Sequence, residues 1–594
     1  MDGYAGSILS VDLTSGSIDI QRLPDEWKRK FIGGRGLGVK LFSDLVDPTI
    51  DPLSDRNILV FAAGLLTGSK MPMGSRYDLV TKSPLTGTLS TANSGGFFGT
   101  ELKRAGFDAV VIRGKAKVPV YLGITNGTAE IRDASALWGR TTSAATTAIQ
   151  DTLGDPAIRV ACIGPAGERQ CLIAAVINEK SRAAARGGSG AVMGSKLLKA
   201  VAVRGTGSIG ASDPAHFAGV VTSVRERLKT GGLTSGGLNK YGTAALLQLI
   251  SHNGLLPVNN HQKNSFADAS KVSGEELAHS YLKEKKACFS CPVACGRECE
   301  IDGERGGGPE YETIWAFGPD CGVSDLGAII KANNLCNELG LDTISTGVTI
   351  ACAMELSEKG YLPYTVRYGD KDAVVNLVRM IAYRAGIGDE MAEGSFRFAA
   401  RYGHPELSMS AKKLEFPAYD PRGLQGQGLE YATSVRGACH VYGNMLYPEL
   451  LGVPVKLDPF VTQGKAQWTM TLQDLAAAVD ASGMCLFGGR VIGAADYAAM
   501  VSALTGWTMD EREFLQVGER IWNLQKLFNI SAGLGRDDDT LPARMLTEPL
   551  KDGAPKGQVW HREELLPEYY AVRGWDKEGR PTKEKLKELE IVKK

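Results

Sequence analysis

Apolar and polar residues alternate through the first third of the chain. Residues 7–13 and 17–23 do so on either side of Thr14-Ser15-Gly16, which predicts a β-hairpin. Short apolar runs at 58–61, 109–112 and 118–122 predict further strands, separated by glycine-bearing loops. After about residue 210 the period lengthens. Leu326, Ile329 and Ile330 recur at helical spacing behind Ser324-Asp325, and Gly340 stops the run. A tight Gly340-Leu341-Asp342 turn leads into a second apolar helix over 344–356, closed by Gly360. Leu472, Leu475, Ala476 and Val479 trace one face of a helix that runs into Asp480. The charged end, 583–594, reads as a solvated helix or frayed tail. The pattern predicts an α+β fold: a β-rich N-terminal domain over 1–209, then mainly helical domains over 210–408 and 409–594.

Glycine sharpens this picture. There are 72 glycines in 594 residues, about 12% against a typical ~7%, and they gather in discrete loops rather than in low-complexity tracts. Three such loops run from Met73 to Tyr77, from Ala92 to Gly99 and from Arg182 to Gly194. The last contains Gly188-x-Gly190-x3-Gly194, which imitates a dinucleotide fingerprint. The strand that should precede such a loop is missing, because Asn178-Glu-Lys-Ser-Arg182 is polar and charged. Backbone amides beside Arg182 and Arg186 still suit a phosphate group, and a plain surface turn is the alternative. A weak repeat also emerges. Asn337-Glu-Leu-Gly-Leu-Asp342 and Asp480-Ala-Ser-Gly-Met-Cys485 share one pattern at the ends of apolar helices, which suggests two half-sites for a bipartite ligand. Asp342 also reads as an ordinary helix cap, worth about 1 kcal/mol.

Charge narrows the function classes. Lysine plus arginine and aspartate plus glutamate number 67 each, so no overall field favours nucleic acid or an anionic membrane. No apolar stretch is long enough to span a bilayer, and the first residues lack a secretory pattern. Eleven cysteines, an odd number, fit a reducing cytoplasm better than a disulfide framework. Three of them, Cys288-x2-Cys291-x3-Cys295, can ligate three corners of an iron–sulfur cube and leave the fourth to a distant thiol such as Cys485. The rival is a zinc site completed by Cys299, which would crowd four thiols into twelve residues.

Taken in order, these motifs resemble the tungsten-containing aldehyde ferredoxin oxidoreductases. The likeness runs through Arg76-Tyr-x3-Thr-Lys-Ser-Pro-Leu-Thr-Gly87, Ala92-Asn-Ser-Gly-Gly96, the 182–194 loop, the cysteine cluster and Gly308-Pro-Glu-Tyr-Glu312. It continues through Leu339-Gly-Leu-Asp-Thr-Ile-Ser-Thr-Gly347, Cys439-His440 and the segment from Asp480 to Cys485. The resemblance implies domains that enclose tungsten, or molybdenum, held by two pterins with no protein ligand to the metal. It implies a [4Fe-4S] cluster on Cys288, Cys291, Cys295 and Cys485. Asp342 and Asp480 would contact the pterins, with Gly95, Asn337 and Leu486 also at the cofactor. Asn93 and the Ala183 carbonyl would serve a magnesium ion bridging the pterin phosphates. Arg76 would lie between cluster and pterin, with Arg182 and Arg186 on the phosphate loop. The implied reaction turns an aldehyde and water into a carboxylic acid, two electrons and two protons. Glu312 would be the base, and His440 would hydrogen-bond the metal oxo group or the aldehyde oxygen. Electrons would leave to ferredoxin or to a ferredoxin-like or flavoprotein redox subunit.

One departure bears on assembly. Members that form an iron-bridged homodimer carry Glu-x-x-His ahead of the Gly-Leu-Asp turn, where this chain has Lys331-Ala-Asn-Asn334. Lysine and asparagine do not make an iron site, so a hetero-oligomer is expected instead. Tyr442 also stands where lysine is common in the family. The alternative function is the related subunit that reduces aromatic-ring thioesters of the benzoyl-CoA type. A non-catalytic iron–sulfur scaffold would have no use for Glu312 and His440.

Overall fold

The computed structural model describes residues 2–591. Its first strands are β1 (Ser7–Asp12), β2 (Ser17–Arg22), β3 (Leu59–Ala63), β4 (Tyr77–Lys82), β5 (Leu89–Ser94) and β6 (Ala109–Arg113). The next are β7 (Val120–Thr125), β8 (Thr128–Asp133), β9 (Arg159–Cys162), β10 (Val176–Asn178), β11 (Arg182–Ala184) and β12 (Leu198–Arg204). Each set makes one six-stranded sheet, in the orders β2-β1-β6-β3-β4-β5 and β11-β10-β9-β12-β7-β8. Read from the opposite edge, the second order repeats the first with each strand advanced by six. Each sheet also has a single parallel pair, β1 with β6 and β7 with β12. The N-terminal region is thus a structural duplication. The expected hairpin over 7–23 is present, pairing Ser7 with Arg22 and Asp12 with Ser17.

The helix signals hold because each cap is local. Asp325 accepts a hydrogen bond from Ala328 N at the start of helix Leu326–Leu339, and Gly340 ends it at φ +77°. Asp342 caps helix Thr343–Glu358, and Gly483 closes helix Lys465–Ser482 at φ +79°. The region after 210 is less uniformly helical than its period predicts. A three-stranded sheet, β13 (Leu282–Lys286), β14 (Gly296–Ile301) and β15 (Glu304–Gly307), interrupts it and carries the cysteine loop between β13 and β14. Lys283, Glu284, Lys285 and Lys286 are exposed, so no apolar face signalled β13. Helix Lys583–Glu588 accounts for part of the charged end; the last three residues lie outside the described residues. No helix among the described residues is long and apolar enough to cross a membrane.

The two sheets present the two helix-end motifs to each other. In the loop after β3, Gly64 lies so close to Gly483 that an added Cβ would stand 2.1 Å from the Gly483 Cα. In the matching loop after β9, a Cβ on Gly164 would stand 2.4 Å from the Leu339 carbonyl. Isolated antiparallel bridges complete both clamps, Gly74 with Met484 and Ala174 with Leu341. We expect Gly64→Ala to lower stability by about 1–3 kcal/mol, because backbone rather than a flexible side chain blocks the new methyl. An unchanged thermal-inactivation midpoint would show that the contact gives way freely.

Candidate functional site

A cavity of about 320 Å³ opens between the sheets and the helical segments. Fourteen of the sixteen candidate residues line it: Arg76, Asn93, Gly95, Arg182, Ala183, Arg186, Cys288, Cys291, Cys295, Glu312, Asn337, Asp342, His440 and Cys485. Asp480 and Leu486 lie outside its wall. Asp480 is buried with its carboxylate 3.5 Å from the Arg35 guanidinium. Leu486 packs, half-buried, against the core shared by the first sheet and helix Lys465–Ser482.

The cysteine loop brings Cys288, Cys291 and Cys295 to one end, and the clamp on Gly483 delivers Cys485 to the same cavity. Among the described residues no three thiols, imidazoles or carboxylates converge closely enough to hold a single metal ion. Four cysteines from two distant segments on one cavity suit an iron–sulfur cluster, in which each thiolate binds its own iron. Cys299 is packed in the hydrophobic core behind Gly308, a residue of the cavity wall, and does not itself line the cavity. Gly95 has a steric role here: a Cβ on it would stand 3.0 Å from Cys288 Sγ. Arg76 donates to Asn93 Oδ1 at 2.6 Å and reaches Cys485 Sγ at 3.3 Å. Burial works against its charge, but Cys485 and Cys288 outweigh that and raise its pKa. Burial pushes the Cys291 thiol up to about 11 and Cys295 higher still, so a bound metal centre would be needed to hold them as thiolates.

The loop from 182 to 194 differs from its sequence reading. Residues 182–184 are the edge strand β11, so a strand does precede the glycines. The sheet is mixed and the helix Ser189–Ser195 is short, and its glycines serve packing: a Cβ on Gly194 would stand 1.8 Å from the Gly167 carbonyl oxygen. The loop is buried, not a surface turn. Arg186 donates to the carbonyls of Glu415 and Ala438 and faces Asp342 at 3.8 Å. Its Nη1 has no hydrogen-bond partner. Asp342 accepts from Ile344 N at 3.1 Å and from Ser345 Oγ at 2.8 Å, so it caps its helix and faces the cavity together.

At the other end, Glu312 extends from the first turn of helix Tyr311–Phe317. Its Oε2 accepts from Ala418 N at 2.8 Å, while Oε1 lies 3.5 Å from His440 Nε2 without a hydrogen bond. Burial pushes Glu312 up to about 7. Burial, with Arg186 and Arg436 nearby, lowers His440 to about 3, although 22% of its side chain stays open to the cavity. Near neutrality His440 is therefore an uncharged imidazole, and Glu312 is poised between acid and carboxylate. Tyr419 packs on His440 with ring centroids 5.8 Å apart, and Tyr311 donates to the Ala418 carbonyl at 2.8 Å, fixing the segment that holds Glu312.

Several residues at or behind the site are not among the sequence candidates. Tyr419 and Glu310 line the cavity, and Glu310 stands 4.0 Å from Arg182. Arg35 and Arg436 sandwich the Tyr442 ring at 3.8 and 4.2 Å. Asp78 lies buried near Asp480; burial raises both carboxyls, and the Asp480 charge raises Asp78 further. Only the proline bracket of Tyr419 in Phe416-Pro-Ala-Tyr-Asp-Pro421 offered a hint that this tyrosine was held in place.

Duplicated sheets that clamp two helix-end motifs over a thiol-lined cavity define a class of protein built to enclose a large cofactor. Glu312 Oε1 and Arg186 Nη1, both buried without a hydrogen-bond partner, and the four cavity-lining thiols fit such a guest. Known proteins give the class its family. Residues 8–205 match the family model described as the aldehyde ferredoxin oxidoreductase N-terminal domain. Residues 219–591 match the model for domains 2 and 3. The tungsten-containing aldehyde ferredoxin oxidoreductase of Pyrococcus furiosus is 48% identical, with 100% of both chains covered. Its counterpart in Thermococcus kodakarensis is 47% identical, again over 100% of both. Among solved structures, the active-site complex of a benzoyl coenzyme A reductase bound to 1,5-dienoyl-CoA is similar, with a TM-score of 0.87 and 27% identity. That match covers 99% of this chain and 97% of the other. The chain belongs to the aldehyde ferredoxin oxidoreductase family.

Proposed function

We propose that this chain oxidises aldehydes to carboxylic acids and passes the electrons to ferredoxin. The observation that carries the proposal is the half-buried Glu312–His440 pair, 3.5 Å apart, facing the same cavity as four thiols from two distant segments. A tungsten bis-pterin would supply a two-electron acceptor, and a [4Fe-4S] cluster on Cys288, Cys291, Cys295 and Cys485 would supply a one-electron exit. Asp342, Asn337, Gly95, Asp480 and Leu486 would hold the pterins, with Asp480 and Leu486 acting from behind the cavity wall. Asn93 and the Ala183 carbonyl would take a magnesium ion at the pterin phosphates, near Arg182 and Arg186. Arg76, which contacts both Asn93 and Cys485, would lie between the pterin and the cluster.

The chain's own residues supply the proton chemistry. Water adds to the carbonyl carbon, and conversion to the acid releases two protons with two electrons. Glu312, when ionised, takes a proton, and its Ala418 N–H contact holds the other oxygen still. His440, uncharged, orients the substrate oxygen, with the Tyr419 ring packed beside the imidazole. Eleven free cysteines suit a reducing cytoplasm. Lys331 pairs with Asp302, and Asn334 packs against Gly306, so neither reproduces a carboxylate–imidazole iron site. That favours a heteromeric assembly with a redox subunit.

Anaerobically purified protein is expected to contain tungsten and iron and to reduce a viologen dye with benzaldehyde. It should leave benzoyl-CoA unreduced when supplied with reduced dye. The opposite pair of outcomes would move the assignment to the aromatic-ring reductases, which the structural likeness at 27% identity supports less than whole-chain identity of 48% supports aldehydes.

A further inference from the structure

The outer face of the cysteine loop carries a row of four side chains. Arg104 lies over the Phe289 ring at 4.8 Å, Phe289 meets Phe97 edge to face at 6.3 Å, and Arg159 lies over Phe97 at 4.9 Å. Phe289 sits between Cys288 and Cys291, and its N–H donates to the Gly96 carbonyl, so the row is bound directly to the thiol loop. Both rings are half-buried. Among the described residues neither arginine is in an ion pair, the nearby Glu101 and Asp155 pairing with Arg204 instead; Arg104 Nη2 donates to the Gly68 carbonyl at 3.3 Å, and the Nε of each arginine is buried. Exposed Lys70 and Lys180 extend the positive surface on either side. The carboxylates nearby offset it only in part: half-buried Glu179 lies against the Phe97 N–H and near Arg159, while Glu284 and Glu298 pair with Lys286.

We propose that this Arg104–Phe289–Phe97–Arg159 row is the docking surface for an acidic, one-electron iron–sulfur carrier protein. Aromatic rings flanked by arginine are the residue types that anchor protein interfaces, and here they supply apolar contact within a basic rim. The net charge of the whole chain is zero, so attraction for an acidic partner must be local. The position does the rest. A carrier seated on Phe289 contacts the loop that would hold the cluster, and two successive encounters, each taking one electron, clear the pair released per aldehyde. This assignment of residues rests on the redox reading above.

The test measures binding separately from turnover. Full-length protein with intact metal content is titrated with an oxidised, acidic [4Fe-4S] ferredoxin at about 50 mM salt, where surface charge is lightly screened. The double variant Arg104→Glu/Arg159→Glu should raise Kd at least about tenfold, and added salt should weaken the parent far more than the variant. Aldehyde-driven viologen reduction, which needs no docking, should be unchanged in the variant. Equal Kd values, or no binding by the parent at low salt, overturn the docking surface. Loss of viologen reduction in the parent would instead sink the redox reading and leave the binding result to stand by itself.

Discussion

Glu312→Gln should leave tungsten and iron content intact and lower aldehyde-dependent dye reduction by about a hundredfold or more. Glutamine keeps the shape of the side chain and can still accept from Ala418 N, so the fold has no reason to change. What it loses is a group that can take a proton. Burial raises the Glu312 pKa to about 7, so the parent's kcat/KM should climb with pH through that value and level off above it. The variant should lack this limb. Stability runs the other way. A carboxyl whose folded pKa exceeds its unfolded one binds more protons when folded, so its contribution is full below about 4.3 and declines as pH rises through about 7. A variant with normal turnover, or with the same acid limb, would remove Glu312 from catalysis.

Cys485→Ser should strip iron from the protein and drop dye reduction to background. The thiol comes from a loop nearly two hundred residues from the other three, and the cavity unites them. Serine is a poor replacement because a soft thiolate, not a hydroxyl, suits iron–sulfur ligation. Cys299→Ser is the control: its thiol is packed in the core, so iron content should stay at the parent's level. Iron lost from the second variant and kept in the first would restore the compact four-thiol site.

Much of the fold was legible because its signals are short-range. A cap such as Asp325 or Asp342 acts on residues two or three positions away, so Asp325-to-Gly340 and Asp342-to-Gly360 could be read directly. The hairpin at 7–23 is local in the same way. The similarity of the two helix-end motifs was visible, but the duplication of the sheets that grip them was not. Their strands share a topology and very little residue pattern, and β10 and β11 are only three residues long. β11 was missed because its Arg182 and two alanines offer no alternation to detect.

The candidate site divides along the same line. Glu312, His440 and the cysteines could be named from sequence through their resemblance to a family, and the three clustered thiols from spacing alone. By itself the sequence determined the local elements: caps, turns, the thiol loop and the glycines where backbones must touch. Only the tertiary structure decided that Asp480 turns to Arg35, that Cys299 packs in the core, and that Cys485 lines the same cavity as Cys288. The physical reason is that a cap is satisfied within one turn of chain, whereas a cavity wall depends on how distant elements align. Here that alignment is set by backbone contacts at Gly64 and Gly164, positions whose importance lies in the side chain they lack.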